Sequence, residues 1–404
     1  MSAIALDRPR SIDTLIASRR PGIGLDGEFY RRPEIFDLEV DRIFMRHWLL
    51  AGHISRIPTP GDYFLYAVGG ESIVIIRGPD GGIHALFNVC RHRGSRICAE
   101  ESGNARKLVC PYHNWVYATD GTLLSARHMA DGFDTSQFGL LRCHVRVLAG
   151  LIFVNLAKEP GDFEPMAHDL GPFLEPHGLD HAKICCRTRY EVKANWKIVA
   201  ENSWECYHCA TAHPEFGAVM SYVGATDSQK LAEERATFAE QWTAYAESLG
   251  HQTGGVRMAS DSWYGCNRVP IRPGFLTQSR DGQPVAPLMG SLRAYDGGIS
   301  AFAFRPFTFF VASCDHVMIS RFAPVAPMLT DAELIWLVRE DAVEGRNFDL
   351  KRVTWLWQVT TEQDVRLCEN NQAGVNSRRY QPGPYSETEG EVEEFIQWYL
   401  RQIG

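Results

Sequence analysis

Two short loops constrain this chain more than any other feature. The first reads Cys90-Arg91-His92 and the second Cys110-Pro111-Tyr112-His113, with seventeen residues between them. Each loop brings one thiol and one imidazole, at spacings C-x-H and C-x2-H. Two thiolates and two imidazoles arriving in pairs are what a buried metal centre needs. Zinc also takes two cysteines and two histidines, but zinc fingers pair Cys with Cys and His with His along the chain. Here the fold has to bring two mixed loops together.

That mixed pairing suits a Rieske [2Fe–2S] cluster, with Cys90 and Cys110 on one iron and His92 and His113 on the other. Neutral histidines in place of two thiolates raise the reduction potential above that of an all-cysteine cluster. Gly94, Pro111 and Tyr112 shape the loops, and Cys98 between them reads as a packed thiol.

The surrounding texture is that of a small antiparallel β domain. Short apolar runs at 63–68, 72–77, 84–89, 107–109, 115–118 and 150–156 are separated by turn signals such as Pro79-Asp80-Gly81-Gly82 and Asp120-Gly121. Residues 1–45 read as an N-terminal helical segment belonging to the second domain, with a helix over 37–48. Residues 46–160 read as the cluster domain, and 161–404 as a catalytic domain. In the last, 186–192, 299–304, 307–313, 316–324 and 332–339 read as strands. Helices are expected at 196–211, 350–371 and 391–401, and the polar stretch 217–255 as a mobile or partly helical excursion. The whole is α+β, with helices on one face of an antiparallel sheet.

Composition narrows the function. With 41 Lys and Arg against 49 Asp and Glu, the net charge is −8 and no basic run stands out, which argues against nucleic acid. The longest apolar stretch, 147–157, is too short for a span of about 20 residues, so no membrane is expected. Eleven scattered cysteines and no apolar signal core point to a reducing, cytoplasmic setting.

A second constellation follows. Glu201, Glu205 and His208 stand at i, i+4 and i+7, one face of a helix. Pro214 disfavours the α conformation at His213, so the helix ends or bulges there and swings His213 back toward His208. Two histidines and a distant carboxylate make the facial triad of non-haem iron(II) oxygenases, with open positions for O₂. Ordinary helix-end histidines satisfied by Glu205 are the plainer reading, but a one-electron carrier needs a destination for its electrons. Cys206 and Cys209, flanking His208, read as core thiols.

The two motifs, in this order and about 95 residues apart, resemble the catalytic α subunits of Rieske non-haem iron oxygenases, the aromatic-ring-hydroxylating dioxygenase family. The resemblance covers about residues 25–404. It implies one Rieske [2Fe–2S] cluster and one mononuclear iron(II) held by His208, His213 and Asp364, with Glu362 the nearest competitor for the third place. It also implies O₂ as co-substrate, a homotrimer, and a catalytic role for Asn195 and for Glu205, the carboxylate linking the two metal centres. The family usually has aspartate at that position. Glutamate there resembles the subgroup that oxidises quaternary-ammonium compounds such as glycine betaine, stachydrine and carnitine. The stretches Arg91-His92-Arg93-Gly94-Ser95-Arg96, Glu205-Cys206-Tyr207-His208-Cys209, Asp341-Ala342-Val343-Glu344-Gly345 and Gln381-Pro382-Gly383-Pro384-Tyr385-Ser386 point the same way. No Gly-x-Gly-x-x-Gly follows a strand, so NAD(P)H acts only indirectly, through a separate flavin or iron–sulfur reductase.

A quaternary ammonium is held by aromatic faces, and Trp204, Trp263, Tyr264, Phe302, Phe304, Phe307, Phe309 and Phe310 are candidates, although an arene would use the same kind of pocket. Three readings of the small-molecule chemistry therefore stand: oxidative N-demethylation of a betaine, ring hydroxylation of an arene, and electron transfer alone.

Overall fold

A computed structural model describes residues 10–220, 229–259 and 261–404. The first sheet is antiparallel and seven-stranded, in the order Leu49–His53, Leu151–Asn155, Arg142–Leu148, Ile83–Phe87, Glu71–Arg77, Asp62–Val68, Ser102–Asn104. Asp62–Val68 and Glu71–Arg77 form a hairpin closed by Gly69-Gly70, both at positive φ (56° and 86°). A two-residue hairpin turn of matching twist requires that conformation, which glycine adopts freely. A three-stranded sheet, Leu108–Val109, Val116–Tyr117 and Leu123–Ser125, carries the second cysteine–histidine loop.

The second large sheet is also antiparallel, in the order Ala182–Val192, Leu329–Arg339, Val317–Ala326, Thr308–Ala312, Gly298–Phe304, Tyr264–Pro270, Gly254–Val256. The strand Leu329–Arg339, second in that order, is apolar from Leu334 to Val338, and successive side chains face opposite ways. Leu334, Trp336 and Val338 join Val353, Leu356 and Trp357 of the helix Leu350–Val375 in one core. Ile335 and Leu337 join Met166, Leu170 and Leu174 of the helix Glu164–Leu174, with Leu151 and Phe153 of the first sheet. Each such burial stabilises by roughly 1.5–3 kcal/mol. Helices therefore cover both faces of this sheet rather than one, because a strand with no polar side leaves no face for water.

Two elements depart from the sequence reading, and a third agrees with it. The helix expected over 37–48 is Pro33–Glu39, started by Pro33 in its first turn and run on through a π turn at Val40–Phe44. The helix expected over 196–211 ends at Ser203. Within 217–255, residues 221–228 lie outside the described set, and Gln229–Ser248 is a regular helix. Among the described residues no helix is long and apolar enough to cross a membrane.

The N-terminal helices pack on the last helix, Gly390–Ile403, through Phe29, Tyr30, Ile35, Phe395, Trp398 and Tyr399. Buried Glu39 sits at the junction and accepts from Lys197 Nζ (2.6 Å), Trp196 Nε1 (2.7 Å) and the Tyr399 hydroxyl (2.5 Å). An acid this deep is retained only with such partners.

Candidate metal centres

The two cysteine–histidine loops are built on one plan. Cys90 N donates to Ser95 O (2.9 Å) and Gly94 N to Cys90 O (3.0 Å). Cys110 N donates to Trp115 O (2.9 Å) and Asn114 N to Cys110 O (3.0 Å). Gly94 and Asn114, at equivalent places, are left-handed, φ 77° and 56°, as glycine and asparagine tolerate. The cysteines are buried, 2% and 1% exposed, whereas His92 is exposed and His113 half-buried. The histidine rings lie 4.5 Å apart, and His92 stacks on Trp115 at 4.9 Å.

This polarity suits a cluster whose thiolate iron is inside and whose histidine iron meets the surface. Burial pushes the Cys90 thiol up, so a thiolate there needs a cation beside it. The Tyr117 hydroxyl accepts from Arg91 N (3.1 Å) and lies 3.3 Å from Cys90 Sγ, placed to donate to the sulfur. Cys98 is buried and free, its thiol pushed up to about 11 by burial.

The second centre depends on how the chain leaves the helix Trp196–Ser203. Glu205 folds back, and its Oε2 accepts from Tyr207 N and from His208 N (3.3 Å). This local bond competes with helix continuation. His208 then opens the one-turn helix Cys209–Ala212, and His213, at φ −125° and ψ 70°, precedes Pro214 at the head of Pro214–Val219. The turn brings His208 Nε2 within 3.1 Å of His213 Nε2.

Asp364, from the helix Leu350–Val375, completes the group. Its Oδ1 stands 2.9 Å from His213 Nε2 and 3.4 Å from His208 Nε2. That oxygen is buried and makes no hydrogen bond of good geometry. Three donors at right angles around an ion with ~2.1 Å bonds would stand about 3.0 Å apart, so the set fits a facially bound metal.

The far side of each ring is held. His208 Nδ1 meets Glu205 Oε1, and His213 Nδ1 lies 2.8 Å from Gln363 Oε1. Gln363 Nε2 donates in turn to Glu215 (2.9 Å). An acceptor at each Nδ1 leaves both Nε2 lone pairs for the metal. Burial disfavours a His208 cation, but Asp364 and Glu205 outweigh it and raise the pKa to about 9. The same two histidines hold Asp364 below its ordinary value against its own desolvation.

Other expectations need correction. Glu201, Glu205 and His208 do not share a helix face, because the helix ends between them. Glu201 accepts from the Tyr30 hydroxyl (2.8 Å) in a separate buried pocket, where desolvation lifts its pKa to about 7. Asn195 caps the helix Trp196–Ser203 and is 1% exposed. Its Oδ1 accepts from Lys197 N (2.9 Å), while its Nδ2 donates to Tyr30 O (3.2 Å) and Pro327 O (2.6 Å). Cys206 and Cys209 are joined in a disulfide rather than free. Glu362 is exposed.

Phe302, Phe304 and Phe310 stack in the core toward the first sheet. The aromatics beside the triad are instead Phe216, 6.4 Å from His213, with Trp357 and then Phe309 behind it. Gln363, Asn202 (Nδ2 3.3 Å from His208 Nε2), Phe216 and Trp357 carried no signal in the sequence, since only the packing of distant helices places them.

A mixed-ligand iron–sulfur domain joined to a two-histidine, one-carboxylate site defines a terminal oxygenase. Residues 47–144 match the Rieske [2Fe-2S] domain family, and 179–404 match the catalytic domain of the ring-hydroxylating α subunit. The chain belongs to the Rieske ring-hydroxylating oxygenase α-subunit family, an enzyme family using a Rieske cluster, a mononuclear iron and a separate reductase. That removes the reading as an electron carrier alone.

The chain is 36% identical to the glycine betaine monooxygenase oxygenase subunit of Pseudomonas aeruginosa over 396 residues, 96% of this chain and 91% of the relative. It is 35% identical to the carnitine monooxygenase oxygenase subunit of Acinetobacter pittii over 193 residues, 46% of this chain and 52% of that one. The quaternary ammonium Rieske monooxygenase CntA with L-carnitine has the same fold, at TM-score 0.71 and 23% identity over 98% of this chain and 100% of that one.

Proposed function

We propose that this protein hydroxylates an N-methyl group of a quaternary-ammonium, betaine-type substrate, using O₂ and electrons passed from NAD(P)H by its reductase. The hydroxylated methyl is a hemiaminal, which collapses to formaldehyde and the demethylated amine. The whole-length relationship to a glycine betaine monooxygenase subunit carries this reading. Phe216, Trp357 and Phe309 add the aromatic faces that attract a cation without hydrogen-bonding to it, at about 0.5–2 kcal/mol per ring.

In this reading residues 46–160 form the electron-carrying domain, with Cys90, Cys110, His92 and His113 as ligands. Residues 161–404, with the N-terminal segment 1–45, form the oxygenating domain, with His208, His213 and Asp364 on its iron. The iron, when bound, supplies O₂ activation. The protein orients its ligands, with an acceptor at each Nδ1 so that a bound metal would take the place of the Nε2 proton. The working unit is a cytoplasmic head-to-tail homotrimer, a closed ring of heterologous contacts. In it Glu205, which holds His208 Nδ1, accepts from His113 of the adjacent subunit.

Turnover of glycine betaine, carnitine and an arene with a surrogate reductase tests the assignment. Formaldehyde in proportion to NADH consumed is expected with a betaine. A hydroxylated arene and no formaldehyde from either betaine would overturn it in favour of ring hydroxylation.

A further inference from the structure

The turn that carries Glu205 and His208 is also closed covalently. Cys206 and Cys209 are bonded across it, Cα atoms 4.9 Å apart, and the other nine cysteines are free. The bonded pair brackets His208. Cys209 is 5% exposed, and its sulfur lies in one cluster with ligand nitrogens of His208 and His213, all within 4.8 Å of one another. Cys206 is half-buried, and Tyr207 beside it is 54% exposed, so the bond is reached from outside through Cys206.

Elsewhere burial keeps thiols inert, pushing Cys143 and Cys314 up to about 12. A Cys-x-x-Cys pair is the spacing that thiol–disulfide exchange uses reversibly. In a reducing compartment a disulfide is characteristically transient and redox-sensing.

We propose that Cys206 and Cys209 form a redox switch on the mononuclear site. The disulfide keeps Cys209 off the metal, leaving two histidines and one aspartate with open positions. The dithiol offers Cys209 as a thiolate ligand, which fills one of the positions O₂ needs. The proposal rests on His208, His213 and Asp364 being the ligands.

Closing the switch is a two-electron oxidation by a peroxide. The Cys206 thiolate attacks one oxygen of hydrogen peroxide, the O–O bond breaks, and a sulfenic acid and hydroxide form. Cys209, as thiolate, then displaces hydroxide from that sulfur and makes the S–S bond. The two thiol protons convert both hydroxides to water. Opening it consumes a cellular dithiol, which is oxidised to its own disulfide while Cys206 and Cys209 each regain a proton.

Cobalt(II) placed in the mononuclear site, with the iron cluster left in place, gives an element-specific readout by cobalt X-ray absorption. Enzyme reduced with a phosphine, which brings no thiol of its own, is expected to gain one sulfur neighbour at about 2.3 Å. Peroxide-treated enzyme should lack it, with Cys206 and Cys209 blocked to alkylation until reduced. Cys209→Ser should never show the sulfur, and Cys206→Ser should show it without reductant, with cluster absorbance reporting that each variant is folded. Cobalt held by nitrogen and oxygen alone in the reduced enzyme would overturn the switch and leave the ligand assignment standing. Failure of cobalt to bind the wild type would instead count against the ligand set.

Discussion

Gln363 Oε1 lies 2.8 Å from His213 Nδ1, one residue before the aspartate whose Oδ1 lies 2.9 Å from the same ring's Nε2. Two successive side chains of one helix thus grip both nitrogens of one imidazole. The amide fixes the proton on Nδ1, and the carboxylate shares the metal side. Gln363→Met removes the acceptor at similar length. Affinity for the mononuclear metal should fall about 10–100-fold, as for other outer partners of ligating histidines. Metal titration of apo-enzyme with the cluster intact measures it.

Asp364→Ala should empty the mononuclear site and abolish turnover while leaving the cluster spectrum unchanged. Iron analysis should fall from about three to about two per chain. Retained activity would remove Asp364 from the ligand set.

Glu205 contacts His208 Nδ1 through Oε1. Glu205→Gln should keep both centres loaded yet slow electron transfer from cluster to iron by orders of magnitude. Single-turnover reduction of a variant with verified iron content measures the rate. A wild-type rate, or a fully active monomer, would exclude the inter-subunit route.

Tyr117 is placed to donate to Cys90 Sγ at 3.3 Å. A hydrogen bond to a cluster sulfur stabilises the reduced, more negative state. Tyr117→Phe should therefore lower the reduction potential, read by redox titration of the cluster. His113→Cys should lower it further and shift the spectrum toward a ferredoxin type, by adding a charged ligand in place of a neutral one.

Glu333 is fully buried between Arg321 (Nε at 3.0 Å) and Arg187 (Nε at 2.7 Å). Burial alone would raise its pKa, but the arginines outweigh it and bring it from 4.5 to about 2. A depressed carboxylate contributes stability above its unfolded pKa and loses it as pH falls. The loss should run from about pH 4.5 down to about 2, visible as a falling Tm. Glu333→Gln, which leaves buried Arg321 without its carboxylate while Arg187 keeps Glu101, should cost about 3–5 kcal/mol at neutral pH.

Local chemistry in the sequence was enough for the two metal motifs and the antiparallel β texture around 63–156, whereas Asp364 on the long C-terminal helix came from the family resemblance. Ligand spacing is a covalent property of the chain, and alternation along a strand follows from the pleat. Periodicity predicts a helix beyond Ser203 because it carries no sign that Glu205 binds its own downstream backbone. That Asn195 caps the helix with its Oδ1 and spends its Nδ2 on Tyr30 O and Pro327 O is visible only once its partners are placed.

What only the tertiary structure decided is which side chains meet. Asp364 reaches His213 across some 150 residues because Leu334, Trp336 and Val338 bury one helix on one face of the second sheet. The same alternation sends Phe302 and Phe310 to the opposite face, while Phe216 and Trp357 reach the triad from the helices Pro214–Val219 and Leu350–Val375. The sequence alone determined which residues were able to bind metal, because that is a matter of their chemistry. The partners that orient them were set by long-range packing, whose contacts no local pattern encodes.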